Sequence, residues 1–248
     1  MNYLLVFIFF AFNLFSFEET IKKEFPSKGI EVVWVENVNG NIEIYEKEGD
    51  LISIEAVKKA ENEKYLKNIN IIIKREGNTL HISTEHSRSY LLGFLPVKMG
   101  GSVKYKINLP KNTDLNIETV NGNIIIENVK GNIKSESVNG DLNLKGISGK
   151  GSFETVNGEI KIEFEEKNPD FRAESVNGSI YIKSDKNLNA KYSIEVVNGK
   201  IKIIPDVFEI KSSTPKEISG KWGDGTGKIH IETVNGNVTI ELEENKAI

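Results

Sequence analysis

Glutamate is the residue type in this sequence whose number and spacing could do chemistry. A unit of the form Glu-Xaa-Val-Asn-Gly occurs seven times, and its glutamates are Glu36, Glu118, Glu136, Glu154, Glu174, Glu195 and Glu232. If the copies stack as neighbouring strands, successive carboxylates stand about 4.8 Å apart. Two unit charges at about that distance repel by roughly 1 kcal/mol even in water, so the row requires an explanation.

Cation binding is one explanation for the glutamate row, because carboxylate oxygens suit Ca²⁺ and attract polycations. The residues that would form such a cation stripe are Glu118, Glu136, Glu154, Glu174 and Glu195. The alternative is structural: each glutamate accepts hydrogen bonds at a chain corner, or pairs with a nearby lysine on a solvated face. We expect the structural explanation, with no metal site and no cofactor.

Catalysis is the remaining chemistry open to the row. Paired carboxylates about 5–5.5 Å apart suit retaining glycoside hydrolysis. One carboxylate of the pair must be kept protonated by a different environment, whereas this row offers seven similar ones. No Gly-Xaa-Ser-Xaa-Gly or His-Glu-Xaa-Xaa-His motif occurs, and His81, His86 and His230 are scattered. We therefore expect that the protein is not an enzyme and has no catalytic residues.

A repeat must position these glutamates. Between Gly122 and Gly199, the glycines of the unit follow one another at steps of 18, 18, 20 and 21 residues. Gly131 and Gly149 divide the first two steps into halves of nine residues. In the nine-residue blocks of residues 114–158, the second and fourth positions are mostly Ile, Leu or Phe, and the positions between them are mostly polar. This alternation predicts half-buried strands.

A corner is predicted at the end of each block. The seventh position is always Val or Ile, which breaks the alternation by one residue and so reverses the facing of the chain. Asn and Gly are then expected to supply a left-handed backbone, and the stacked Asn amides to bond from coil to coil. The predicted structural corners are Asn121, Gly122, Asn139, Gly140, Asn157, Gly158, Asn177, Gly178, Asn198, Gly199, Asn235 and Gly236.

Two all-β architectures fit a unit of strand, corner and strand. Asn-Gly is a strong hairpin signal and favours an antiparallel meander. A parallel β-solenoid with about 18–21 residues in each coil explains more, because Val-Asn-Gly is kept at every second corner while the corners between drift. Alternate corners lie on one edge of a solenoid, so we predict the solenoid.

The regions around the repeat divide the chain. We predict a signal peptide over residues 1–17, a β-rich N-terminal cap with the first repeat over 18–110, and the solenoid over 111–245. Residues 60–68 suit a short helix or a charged connection, and Asp224 suits a turn better than a calcium loop. The apolar segment 90–97 is either a lid on the solenoid end or a contact with membrane or partner. The side chains of that contact would be Tyr90, Leu91, Leu92, Phe94 and Leu95.

Composition limits the function further. The chain has no cysteine, which excludes disulfides, thiolate metal sites and a lipidated N-terminal cysteine. Its net charge of −4 gives no reason to expect a nucleic-acid partner. Residues 3–17 carry no charge, and their length is that of a signal-peptide core and short of a spanning helix. A buried strand or an uncleaved anchor is the alternative for this segment.

The repeat blocks resemble a known family. IETVNGNI, SESVNGDL, FETVNGEI, AESVNGSI and HIETVNGNV, with the GDGTG run before the last block, are similar to bacterial β-strand-repeat proteins known as the putative adhesin family, a domain of unknown function. The resemblance covers about residues 30–242. It implies a right-handed, β-helix-like solenoid at the cell envelope, and it provides no catalytic residues.

These observations predict an exported structural or adhesive protein of the cell envelope, in the periplasm or at the cell surface. It would bind an unknown envelope or extracellular partner, protein or glycan, through a repetitive face. A regulatory or stress-sensing protein of the envelope is the first alternative, and a carbohydrate-active β-helix enzyme is the next.

Overall fold

The computed structural model describes residues 7–13, 16–86, 90–91, 95–96, 100–164, 166–185, 187–204 and 209–243. Sheet A consists of β1 (Phe7–Asn13), β2 (Ser16–Pro26), β4 (Ile42–Glu46), β5 (Leu51–Ala60), β10 (Ser102–Leu109), β12 (Ile124–Glu127), β14 (Leu142–Ile147), β16 (Ile160–Phe164), β18 (Ile180–Asp185), β20 (Ile201–Ile204) and β24 (Val238–Glu243). Sheet B consists of β3 (Val32–Asn39), β6 (Ile69–Glu76), β7 (Thr79–His86), β11 (Asp114–Asn121), β13 (Ile133–Asn139), β15 (Lys150–Asn157), β17 (Asp170–Asn177), β19 (Ala190–Asn198), β21 (Glu209–Ser213), β22 (Glu217–Trp222) and β23 (Gly227–Asn235). A small sheet of β8 (Tyr90–Leu91) and β9 (Leu95–Pro96) and the helix α1 (Glu63–Lys67) complete the elements.

The central strands of both sheets run parallel. In sheet B, Leu115 of β11 pairs with Ile133 of β13, the second strand after it in the chain. In sheet A, Ile124 of β12 pairs in the same way with Leu142 of β14. A meander would pair such neighbours antiparallel, so that alternative is wrong. The chain forms an all-β, solenoid-like stack in which each coil contributes one strand to each sheet.

The coils do not stack in chain order. The sheet B order is β21-β22-β19-β23-β17-β15-β13-β11-β3-β7-β6, and the sheet A order is β1-β2-β5-β10-β4-β12-β14-β16-β18-β24-β20. The last coil, β23 and β24, therefore lies between β17–β18 and β19–β20. The last coil in the chain is therefore not the last coil of the stack. The end is formed by β19–β20 with the strands β21 and β22.

Antiparallel strands close both ends of the stack. At the N-terminal end β5 pairs with β10 and β2 pairs with β5, while β22 pairs with β19 at the other end. Residues 60–68 contain the helix α1, which begins after Asn62, whose side chain accepts a hydrogen bond from the Tyr65 amide at 2.9 Å.

The N-terminal segment contributes a strand within the described residues. β1 pairs antiparallel with β2, in a register that joins Phe7 to Lys22. A strand was the alternative to a signal peptide over residues 1–17, and removal of the segment by a peptidase stays a prediction. No helix among the described residues has the length and apolarity needed to cross a membrane.

The core lies between the two sheets. The inward positions of the blocks, such as Leu115, Ile117 and Ile124, are buried as the alternation predicted. Tyr105 is fully buried, and its hydroxyl lies 2.7 Å from Thr84 Oγ1. Burial raises the pKa of Tyr105 to about 12, because the phenolate would be cut off from water.

The predicted break in the alternation occurs at only one kind of corner. At the corners that leave sheet A, Val129 and Ile147 are buried, as expected from the break. At the corners that leave sheet B the prediction is wrong: Val120 is exposed and Thr119 is buried, so the alternation continues as far as Val120.

The glycines of the Val-Asn-Gly corners are needed for the close approach of neighbouring coils more than for the backbone conformation of the turn. Only Gly40 among these seven glycines has a positive φ, of 112°. The expectation of a left-handed backbone is therefore wrong at Gly122, Gly140, Gly158, Gly178, Gly199 and Gly236, and at the asparagines before them. A Cβ at each of these six glycines would lie well under 3.0 Å from the carbonyl oxygen of the corner glycine one coil away. Only glycine permits coils to stack that closely.

Candidate binding face

The seven glutamates of the repeat form one row on the outer face of sheet B. Glu118 pairs in register with Glu36 on one side and Glu136 on the other. The row continues through Glu154, Glu174, Glu232 and Glu195, in that spatial order. We call these seven side chains the glutamate row. Its order follows the stack of coils and not the chain.

Basic or hydroxyl side chains contact some of these glutamates. Lys134 Nζ lies 2.5 Å from Glu136 Oε1, and Arg172 pairs with Glu174. In each case the partner stands two residues earlier on the same strand, so that both side chains point outward.

Weaker partners contact other members of the row. Ser152 Oγ donates to Glu154 at 3.2 Å. His81 Nε2 lies 2.6 Å from Glu36, whereas His230 Nε2 lies 3.8 Å from Glu232.

The expected pairing with basic residues therefore accounts for part of the row. For Glu118 and Glu195, no hydrogen bond or ion pair of the side chain is found among the described residues. The pKa of Lys134 is raised, mainly by its hydrogen bond to Glu136, and the charges of Glu118 and Glu154 add to the effect. The outward side chains that stand two residues before the glutamates form a neighbouring row. That row contains two cations, Lys134 and Arg172, beside the seven carboxylates of the glutamate row.

A second row, of valines, runs beside the glutamate row and is exposed to solvent. Val38, Val120, Val138, Val156, Val176 and Val197 are each 40–56% exposed, and Val234 is half-buried. We call these seven side chains the valine row. Sequence reasoning assigned the valines to the corner and to the fold alone. An apolar row that is not buried in the core is available for contact with another molecule.

Six glutamates and six valines of the two rows, all but Glu195 and Val197, line a shallow groove of about 730 Å³ that crosses the strands from β7 to β23. Neighbouring strands are about 4.8 Å apart, so six strand spacings give the groove a length of about 29 Å. Within each strand, glutamate and valine are two residues apart, and the rows are therefore separated by roughly 6.6–6.8 Å.

Small polar residues lie beneath the groove, at the Xaa position of the unit. They are Asn37, Thr119, Ser137, Thr155, Ser175 and Thr233, all buried, and Val196 replaces them in one copy. Thr155 donates to the Gly140 carbonyl at 3.0 Å, and Thr233 donates to the Gly178 carbonyl at 2.8 Å. Sequence reasoning missed this position, although its restriction to Ser, Thr and Asn in six copies of seven was a usable signal.

The asparagines of the unit form an amide ladder at the edge of the groove. Asn157 donates to Asn139 Oδ1 at 2.8 Å and accepts a hydrogen bond from Asn177 at 2.8 Å. The same bond joins every neighbouring pair in the order Asn39, Asn121, Asn139, Asn157, Asn177, Asn235 and Asn198. The ladder ties the coils together on the side where the chain turns.

One group near the end of the row has a spacing that could suit a metal ion. Glu174, His230 and Glu232 offer ligand atoms that all lie within 4.8 Å of one another. Arg172 pairs with Glu174, however, and places a positive charge in that group. The cation stripe of Glu118, Glu136, Glu154, Glu174 and Glu195 stays a prediction.

Two other candidate sites lie outside the face. Asp224 accepts hydrogen bonds from the amide and hydroxyl of Thr226, and these bonds lower the pKa of its carboxyl group. This is the local bonding of a turn. In the segment 90–97, Tyr90, Leu91 and Leu95 belong to β8 and β9, while Leu92 and Phe94 lie outside the described residues.

Comparison with known proteins gives a family and several similar folds. The family model described as Toastrack DUF4097 matches residues 30–139 and 131–241. No curated protein matches the chain. A putative cell adhesion protein from Clostridium sporogenes is 13% identical, with 91% of this chain and 100% of that chain covered and a TM-score of 0.48.

Two further solved structures are less similar. A putative adhesin from Bacteroides fragilis is 12% identical over 90% of this chain and 97% of that chain, with a TM-score of 0.36. A putative lipid binding protein from Parabacteroides distasonis is 13% identical over 90% and 97%, with a TM-score of 0.29.

Proposed function

The chain belongs to the Toastrack DUF4097 family, and from that premise we propose that it is a non-catalytic binding protein of the cell envelope. It contacts its partner through the groove between the glutamate row and the valine row. The resemblance of the repeat blocks to the putative adhesin family of β-repeat proteins is confirmed by this membership.

The valine row is the observation that carries the proposal. A solvent-facing strand position needs no apolar side chain for core packing, and Thr would satisfy the same β-propensity. All seven copies nevertheless carry Val there, in register with one another, beside seven carboxylates. Repetition of one apolar and one acidic group in every coil suits a partner that is itself extended along the stack.

Several finer features belong to the same proposal. The coils wind right-handed, with the coil length that the glycine steps predict, and the segment 1–17 directs export to the periplasm or the cell surface. The segment with Tyr90, Leu91, Leu92, Phe94 and Leu95 would add an apolar contact to membrane or partner. Cell fractionation tests export, and protease treatment of intact cells tests exposure at the surface. The proposal of export is wrong if the protein is found in the cytoplasm.

A triple variant tests the face itself. Changing Val120, Val138 and Val156 to Thr keeps shape and β-propensity while it removes three methyl groups from the groove. We expect binding of the purified protein to isolated envelopes to weaken by about fivefold, which corresponds to about 1 kcal/mol of lost apolar contact.

The matched control changes Ile125 and Tyr181, on the outer face of sheet A, to Thr. This control should bind envelopes as the unmodified protein does. Equal binding by the valine variant, or no binding to envelopes by the unmodified protein, would show that the groove is not the contact surface. Release of sugar from envelope glycans would instead favour the enzyme alternative.

A further inference from the structure

We propose that the groove receives a cationic amphipathic α-helix of a partner protein, laid along the stack and across the strands. The inference rests on the proposed function and names the chemistry of its partner. The helix would place a row of Lys or Arg side chains over the glutamate row and an adjacent row of apolar side chains over the valine row.

Charge is the first argument. The glutamate row contributes seven negative charges, and the neighbouring outward row returns two positive ones, Lys134 and Arg172. The difference, seven minus two, is five negative charges on one strip, whereas the whole chain has a net charge of −4. The glutamate row is therefore a strip of net negative charge, which attracts a cationic partner.

The position of the uncompensated carboxylates is the second argument. Glu136 and Glu174 are already paired with Lys134 and Arg172. The glutamates without a Lys or Arg partner among the described residues are Glu118, Glu154 and Glu232 in the middle of the stack, and Glu36 and Glu195 at its two ends. From Glu118 to Glu232 the open carboxylates alternate with the paired ones, so over this part of the row a partner meets an open carboxylate at every second coil, about 9.6 Å apart.

The repeat of an α-helix matches this spacing. Seven residues of helix, almost two turns, advance about 10.5 Å, and the flexible stems of Lys and Arg absorb a difference of about 1 Å. In an extended strand, side chains on one face repeat about every 6.6–6.8 Å. This distance matches neither the spacing of one coil, about 4.8 Å, nor that of two coils, about 9.6 Å. The open carboxylates thus select a helix with a cation at every seventh residue.

The dimensions of the groove fit such a helix. A groove about 29 Å long accommodates about 19 helical residues at about 1.5 Å each. The separation of roughly 6.6–6.8 Å between the two rows is close to that of neighbouring stripes on a helix about 10 Å wide. An apolar stripe next to a cationic stripe therefore contacts the valine row and the glutamate row together.

The test uses a synthetic peptide whose helical length equals that of the groove, about 19 residues. The peptide is capped at both ends and carries Lys at every seventh position, with an adjacent stripe of Leu. A control peptide has the same composition rearranged to alternate at every second position. Dissociation constants are measured by calorimetry at low salt for the unmodified protein and two double variants. Circular dichroism of the bound peptide reports its helicity.

The binding variant is E118Q/E154Q, which neutralises two open carboxylates. The control variant is E127Q/E163Q, whose glutamates lie two coils apart on the outer face of sheet A and remove the same charge. We expect the helical peptide to bind, and the dissociation constant to rise about three- to tenfold in E118Q/E154Q. In E127Q/E163Q the constant should not change, and the rearranged peptide should bind more weakly.

Equal loss in both variants, equal affinity for both peptides, or no binding of the helical peptide would overturn the inference. The proposed function is judged separately. If the helical peptide fails but the valine triple variant still loses envelope binding, the groove binds a partner of another chemistry. If the valine variant keeps full envelope binding, the proposed function itself is wrong.

Discussion

Gly140 lies so close to Gly122, its neighbour in the stack, that a Cβ on Gly140 would collide with the Gly122 carbonyl oxygen. The oxygen belongs to the backbone of an adjacent coil and cannot rotate away. Close backbone contact of this kind repeats at every corner that joins sheet B to sheet A.

The variant Gly140→Ala should therefore destabilise the protein by about 2–3 kcal/mol, because backbone must move to relieve the overlap. Urea denaturation measures the loss. Gly100→Ala is the matched control, since a Cβ there meets only Tyr65 at 3.7 Å, and its effect should stay below about 1 kcal/mol. Equal effects of the two substitutions would contradict the stacking explanation.

The buried hydroxyls at the Xaa position provide a second prediction. Thr155 and Thr119 are both buried, but Thr155 donates to the Gly140 carbonyl whereas Thr119 Oγ1 has no partner among the described residues. Thr155→Val should cost about 1 kcal/mol, and Thr119→Val should be neutral or stabilising, because it removes an unsatisfied buried hydroxyl. Thermal melting compares the two, and a larger loss at Thr119 would disprove this assignment of hydrogen bonds.

The amide ladder leads to a third prediction. Asn157 takes part in two amide bonds, whereas Asn198 stands at the end of the ladder and takes part in one, to Asn235. Asn157→Ala should lower the free energy of unfolding by about 1–2 kcal/mol and Asn198→Ala by about half as much. Chemical denaturation of both variants decides the matter, and the ladder has no energetic role if both leave stability unchanged.

Tyr105 predicts how stability responds to alkaline pH. Its pKa is raised to about 12 in the folded protein, against about 10 in an unfolded chain. Above about pH 10 the unfolded state loses this proton and the folded state keeps it, so stability falls as the pH rises through about 12, and the loss approaches about 2.7 kcal/mol above that pH.

The variant Tyr105→Phe isolates that contribution. It should lose about 1 kcal/mol at neutral pH with the hydrogen bond to Thr84 and then decline less steeply between about pH 10 and 12. Unfolding free energies of the two proteins across this range measure the difference. Parallel curves would show that Tyr105 does not titrate later than an exposed tyrosine.

The spacing of the glycines favoured the parallel stack, and from β11 to β17 each Val-Asn-Gly unit does lie on the one before it in the chain. Register followed from the same step, and so did the glutamate row. The facing of Val120 could not be predicted from hydrophobicity, which favours Val over Thr for the interior. The interior accepts Thr155 because a glycine carbonyl in the next coil satisfies its hydroxyl.

The order of the coils was beyond sequence reasoning for a different physical reason. Every coil presents the same corner glycine and the same asparagine amide, so these contacts do not select one neighbouring coil over another. Asn235 bonds to Asn177 across 58 residues and to Asn198 across 37. Proximity in the chain therefore does not determine which coils are neighbours.

The place of β23 and β24 has a consequence for how the chain reaches its native state. β19 is synthesised before β23, and both strands carry the Glu-Xaa-Val-Asn-Gly unit. In the native stack it is β23 that pairs with β17, and β19 pairs with the other edge of β23. Early docking of β19 on β17 would occupy the position of the last coil, and it would have to be reversed before β23 could pair with both strands. A chain cut short after β22 is therefore expected to place β19 directly on β17, in a stack that is one coil shorter.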